Sequence, residues 1–145
     1  MDGRTAQRTG RGTGAGVTIL DSTLRDGAQG TGIAFSVEDK LAAVRLLDQL
    51  GVAYIEAGNP GSNPKDLEFF RRVQSRPLRH AQLAAFGPTR RKDTPEEEDP
   101  GLRALLAAGT ETVVLFGKAW RLHVMEVLHT TEEENLRMIE GSCRF

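Results

Sequence analysis

The stretch LDSTLRDGAQG, residues 20–30, places Arg25 directly beside Asp26, ahead of a glycine and immediately after a short apolar run. That run, VTILD at residues 17–21, has the apolar and β-branched content of a strand buried on both faces, and it lacks the strict alternation of a half-solvated strand. The polar residues that follow it therefore sit on a loop at the carboxyl end of a strand. Beyond that loop Ser36 opens a helix as its N-cap, with Asp39 three residues later. Leu41, Val44, Leu47 and Leu50 share one face, and Gly51 is the stop.

The same order of strand, loop and helix recurs three more times, at a spacing of about thirty residues, the length of a strand-helix-strand unit. The further strands are expected at 53–57 (AYIEA), 82–86 (QLAAF) and 112–116 (TVVLF). A second helix opens at Asn63 with Pro64 at its first helical position, and presents Leu67, Phe70 and Val73. A third opens at Asp99 and Pro100, presents Leu102, Leu105 and Leu106, and ends at Gly109. A fourth opens at Thr131, with Glu134 completing a capping box, and runs through Leu136 and Ile139.

Strands alternating with helices imply an α/β fold with parallel strands and right-handed crossovers, either an open doubly wound sheet or part of a (β/α)8 barrel. No G-x-G-x-x-G follows the first strand and no G-x-x-x-x-G-K-[ST] occurs, which removes the commonest nucleotide-binding readings and favours the barrel.

Charge and composition narrow the partners. With 19 Lys and Arg against 20 Asp and Glu, the chain of 145 residues carries a net charge of -1, so no global field attracts nucleic acid or anionic lipid. Hydrophobic residues make up 39% of the chain, enough for a core. No apolar run approaches the ~20 residues of a membrane span. The single cysteine, Cys143, has no internal partner, and the default setting is reducing and cytoplasmic. Residues 1–16, MDGRTAQRTGRGTGAG, hold almost nothing apolar to offset their ordering entropy, and are expected to form a flexible tail ahead of a domain at 17–145.

Chemistry gathers on the strand-to-helix loops. The first holds Thr23, Arg25, Asp26 and Gln29. The second holds Asn59, Gly61 and Ser62, with Glu56 near its strand end. The third holds Arg90, Arg91 and Lys92, and the fourth Lys118, Trp120 and His123. An aspartate at a strand end is a hard oxygen ligand for Mg²⁺, Mn²⁺ or Zn²⁺, and the neighbouring arginine offers a permanent charge for a carboxylate or developing oxyanion. A solvated ion pair between the two is the plain alternative. Glu56, in an otherwise apolar strand, requires a partner such as arginine or a wet polar site. His123 can orient a substrate oxygen or move a proton, or serve only as a loop residue. Arg90, Arg91 and Lys92, followed by Glu96 to Asp99, read as a solvated charged loop.

LDSTLRDGAQG closely resembles the D-[TS]-T-L-R-D-G-x-Q signature of the acyl-CoA-dependent carboxylate synthases and lyases built on (β/α)8 barrels. That family includes 2-isopropylmalate, homocitrate and citramalate synthases and 3-hydroxy-3-methylglutaryl-CoA lyase. The stretches FSVEDKLAAVRLLDQLGVAYIEAGNPGSNPKDLEFF, AAFGPTRRK, EEDPGLRALLAAGTETVVLFGKAWRLHV and VLHTTEEENLRMI are similar to the citramalate synthase branch. The resemblance implies condensation of acetyl-CoA with a 2-oxo acid, pyruvate, giving (R)-citramalate and CoA for isoleucine synthesis, with 2-isopropylmalate or homocitrate synthesis as the sibling reactions. It also implies a divalent metal, Mg, Mn or Zn, and a homodimer in the full-length form. Carried onto this chain, Asp26 is the metal ligand and Arg25 stabilises negative charge on the substrate oxygens. Glu56 and His123 line the same barrel mouth, and Gln29 supports them.

Two elements of the family's site, a His-x-His metal pair and a glutamate from around the fifth strand, have no counterpart here. A complete barrel takes about 250 residues, so four strands correspond to an N-terminal half-barrel. The closing GSCRF departs from the helix-continuing pattern of the family. The expectation is a chain truncated at its C-terminus, inactive alone, that self-pairs or serves only as an assembly partner through its exposed first and fourth strands.

Overall fold

A computed structural model describes residues 16–145. The tail expected at 1–16 lies, apart from an exposed Gly16, outside the described residues. The strands are β1 (Leu20–Asp21), β2 (Tyr54–Gly58), β3 (Gln82–Pro88) and β4 (Thr112–Phe116), all parallel and side by side in chain order. The helices are α1 (Val37–Leu50), α2 (Pro64–Val73), α3 (Pro100–Ala107), α4 (Arg121–Glu126) and α5 (Glu132–Arg144). The expected α/β class and its four strand-helix units are present, as in the first part of a barrel. The short helix α4 is an addition that the apolar periodicity did not announce.

Local chemistry starts α1, α2, α3 and α5 where expected. Ser36 Oγ accepts the Asp39 N–H and the Asp39 carboxylate accepts the Ser36 N–H, closing a capping box on α1. Gly51 ends α1 with φ at 84°, a left-handed conformation that strains any residue with a Cβ. Asn63 and Asp99 cap α2 and α3, each with proline in the first turn. At α5 the capping box is only half formed. Thr131 Oγ1 accepts the Glu134 N–H, but the Glu134 carboxylate is held by Arg90 and Arg137 and does not return to the cap.

Right-handed crossovers between strands taken in order place the helices on one face of the sheet, and that face is the core. Leu24, Val44, Ile55, Phe69 and Phe70 are fully or almost fully buried there, each contributing about 1.5–3 kcal/mol on leaving water. Small residues let α3 settle on β3. A Cβ at Gly87 would lie 2.9 Å from Leu105 Cδ1, tighter than packed side chains allow.

Burial corrects several expectations. The strands were expected to be buried on both faces, and the inner strand β2 is, with Ile55, Glu56 and Ala57 buried in succession, whereas Val17, Ile19, Leu20, Val113 and Phe116 are exposed because β1 and β4 are sheet edges. The first strand is shorter than residues 17–21, although the Ile19 carbonyl still accepts the Ala53 and Tyr54 N–H groups. Leu50, Leu106 and Leu136 are exposed at the rims of their helices. The α2 face is completed by Phe69, with Leu67 half-buried. In α5 the buried residues are Asn135, Met138 and Ser142, and the helix continues through the GSCR segment. Ser142 Oγ donates to the Met138 carbonyl and accepts the Arg90 N–H, which ties the loop after β3 to this helix.

Candidate active site

The loop after β1 is wound tightly enough to fix its side chains. The Asp21 carboxylate accepts from the Thr23 N–H at 3.1 Å and the Thr23 hydroxyl at 3.0 Å. The Ser22 carbonyl accepts the N–H groups of Arg25, Asp26 and Gly27 at 3.1, 2.8 and 3.1 Å. Leu24 anchors this turn in the core, leaving Arg25 to cross the strand ends and Asp26 to face outward. Gln29 closes a single 3-10 turn at Gly27–Gln29 and is exposed.

Arg25 Nε donates to Glu56 Oε2 at 2.6 Å, its Nη1 donates to Asp26 Oδ1 at 2.9 Å, and its guanidinium carbon lies 4.3 Å from the centre of the Phe86 ring. The side chains grade from inside to outside. Glu56 is 3% exposed, Arg25 23% and Asp26 64%. The partner that Glu56 required is therefore Arg25. Arg25 and Asp26 also form the ion pair of the plain alternative, and that pair is joined to a buried acid at the strand ends. One guanidinium between two carboxylates leaves excess negative charge, and Asp26 Oδ2 has no partner among the described residues, an arrangement that suits an added cation.

Contacts continue across the remaining strands. The Phe86 and Phe116 rings stand 6.3 Å apart, and Lys118 Nζ lies 4.7 Å from the centre of the Phe116 ring. Sequence reasoning passed over Phe86. Its signal was positional, since Ala84 pairs with Glu56 and a residue two further along a strand shares its face.

His123 stands apart from the cluster. It is half-buried on α4 against Trp120, with ring centroids 4.7 Å apart and planes at 61°. Among the described residues, no hydrogen bond or ion pair joins His123 or the Gln29 side chain to Arg25, Glu56 or Asp26. The basic triplet on the third loop also differs from the solvated loop expected. Arg90 is largely buried and donates to Glu96 at 2.8 Å and to Glu134 at 2.9 Å. The Glu134 carboxyl is held below its usual range, chiefly by the Arg137 hydrogen bond and then by Arg90.

Within the Arg25 cluster, the accessible hard oxygen donor for a metal is Asp26. The described residues contain no group of three or more His, Cys, Asp or Glu able to hold an ion. The Asp26 carboxylate has the chemistry of one oxygen ligand, and it would need further donors to hold an ion. A cavity of about 330 Å³, lined by Leu41, Val44, Asp48 and Arg79 among others, opens at the opposite, amino-terminal ends of the strands and takes no part in this cluster.

The HMGL-like family model matches residues 16–144. Among curated proteins, the (R)-citramalate synthase of Synechocystis sp. is 50% identical over 127 residues, covering 88% of this chain and 23% of that protein. The (R)-citramalate synthase of Sulfolobus acidocaldarius is 49% identical over 129 residues, 89% of this chain and 25% of that protein. The chain thus spans about a quarter of the length of these relatives. In structure it is similar to the HMG-CoA lyase of Bacillus subtilis, with a TM-score of 0.66 over 88% of this chain and 41% of that one, at 21% identity, a likeness of fold. A parallel sheet in chain order, an Arg-Asp-Gly loop at its first strand end and a match along almost all the described residues agree, and the chain belongs to the HMGL-like family, on the branch of the (R)-citramalate synthases.

Proposed function

We propose that this chain supplies the first-strand side of an active site that condenses acetyl-CoA with pyruvate. In the overall reaction the acetyl methyl carbon gives up a proton and bonds to the 2-oxo carbon of pyruvate. Water then cleaves the thioester, releasing (R)-citramalate and CoA. The observation that carries this reading is the position of Arg25, held between buried Glu56 and exposed Asp26 at adjacent strand ends.

In this reading Asp26 is one ligand of a divalent Mg, Mn or Zn ion that orients the 2-oxo acid and polarises its carbonyl. Arg25 stabilises the negative charge that develops on the substrate oxygens, and its guanidinium is worth most because Glu56 and Phe86 fix it in a low-dielectric setting. Glu56 acts through Arg25. His123 and Gln29 orient substrate groups from the rim. The remaining metal ligands and the base come from outside residues 16–145, so the 145-residue chain alone does not turn over. A cytoplasmic, homodimeric full-length enzyme in isoleucine synthesis completes the proposal. No helix among the described residues is long and apolar enough to cross a membrane.

The test is a chimera in which residues 16–144 replace the matching segment of the Synechocystis enzyme, assayed for CoA release. Turnover with pyruvate is expected, and Arg25→Ala lowers it by about a hundredfold or more. A preference for 2-oxoisovalerate, or an Arg25→Ala variant as active as its parent, rejects the reading.

A further inference from the structure

We infer that Lys40 and Asp66, neither of which touches the Arg25 cluster, are positioning residues that hold Glu56 and the loop after β2 in place. This deepens the proposed function and rests on it for the importance of Glu56.

The β2–β3 ladder slips immediately after Glu56. Glu56 pairs with Ala84 and Gly58 pairs with Ala85, so Ala57 is the extra residue of a β-bulge. Bulges bend a strand and re-aim the side chains beside them, and they leave backbone groups outside the ladder. Here Lys40, buried on α1, donates from Nζ to the Ala57 carbonyl at 2.8 Å and forms an ion pair with Asp66. Asp66, buried at the start of α2, accepts the Asn59 N–H on its other oxygen at 2.8 Å. One buried pair thereby grips both sides of the bulge, at Ala57 and at Asn59.

The residue between these two grips has to be glycine. Gly58 has φ at 149°, and a Cβ there would lie inside the contact distance of the Asp66 carboxylate. The loop this fixes, Asn59 to Asn63, lies beside Glu56 and leads into α2. The Asn59 carbonyl accepts the Ser62 and Asn63 N–H groups, and the Asn59 side chain accepts the Gly61 N–H. A buried ion pair is a weak stabiliser relative to apolar packing, yet it specifies one geometry, and at this place that geometry is the end of the strand that holds Glu56.

The test is nuclear magnetic resonance of the full 145-residue chain and its Lys40→Met, Asp66→Asn and Gly58→Ala variants. It follows the Arg25 Nε–H resonance and amide exchange at Asn59. In Lys40→Met and Gly58→Ala, Asn59 exchange is expected to quicken by about tenfold or more, and in all three variants the Arg25 Nε–H signal is expected to lose its slow exchange, while the His80 and Ala81 amides at the far end of the sheet keep theirs. An Arg25 signal unchanged in Lys40→Met and Asp66→Asn overturns the inference, even if Asn59 loosens. Should Lys40→Met lose protection everywhere, Asp66→Asn decides, since it keeps an acceptor oxygen for Asn59 and removes only the charge. Failure of the proposed function looks different, as an inactive chimera whose Arg25 to Glu56 bond is intact.

Discussion

Two buried acids, one at each end of the sheet, are satisfied in opposite ways. Glu56, at the carboxyl ends of the strands, is held by a side chain that is itself partly exposed and has further donors. Asp48, at the amino ends, is held by backbone alone. Its oxygens accept the N–H groups of Arg79, His80 and Ala81 at 2.8–3.1 Å. Backbone donors cannot swing away, so Asp48 is a fastening between α1 and the entry to β3. An arginine can exchange partners, so the Glu56 end remains open to a ligand. Barrel folds divide their ends in this way, with stability at the strand starts and chemistry at the strand ends.

The most severe attack on this contrast is to strand Glu56. Arg25→Met leaves a buried carboxylate without its cation and should cost about 3 kcal/mol in urea unfolding, with Arg25→Met/Glu56→Gln recovering a large part of the loss. A single variant as stable as the parent would mean that Glu56 is solvated and that the two ends do not differ.

Next in size is Asp48→Ala, which orphans three backbone donors and should cost about 2 kcal/mol at neutral pH. Its acid dependence follows from sign. The Asp48 carboxyl lies below its usual 3.8, first through the Ala81 N–H and then through those of Arg79 and His80. A depressed acid contributes its full stability above the unfolded value and loses it as pH falls through the folded one. The gap between the parent and Asp48→Asn should therefore be constant above about pH 5 and close progressively below pH ~4. A gap that widens in acid breaks the assignment of Asp48 as a charged fastening.

A smaller effect is expected where the carboxylate works at a helix start in water. Ser36→Ala removes half of the α1 capping box and should cost about 1 kcal/mol. The smallest belongs to an exposed pair one helical turn apart. Arg144→Ala, which frees Glu140, should leave the unfolding midpoint unchanged within error. The order of these losses sharpens the comparison, because it tests whether burial and the kind of donor, rather than the number of ion pairs, decide what a carboxylate contributes.

Legibility in the sequence followed the range of the interaction. The caps at Ser36, Asn63 and Asp99 and the stop at Gly51 depend on neighbours within one helical turn, and all were readable. The faces of α2 and α5 were only partly readable, since apolar spacing identified Phe70 and Val73 but could not foresee that Asn135 and Ser142 would be buried while Leu136 was exposed. At the site, the Arg25-Asp26 pair was visible as a dipeptide. Its attachment to Glu56, 31 residues away, was only a requirement that some partner exist. Arg90 misled for the same reason, because its partner Glu134 lies 44 residues along the chain.

By itself the sequence determined the α/β class, the number of strand-helix units, the family and the identity of the Arg-Asp-Gly loop, because these rest on local periodicity, local hydrogen bonds and a contiguous motif. Only the tertiary structure decided which carboxylate Arg25 holds, which strands lie at the edges, and that Lys40 and Asp66 meet across a bulge beside Glu56. Those outcomes depend on strand register and helix placement, and a shift of one residue in β2 would send a different side chain to each of them.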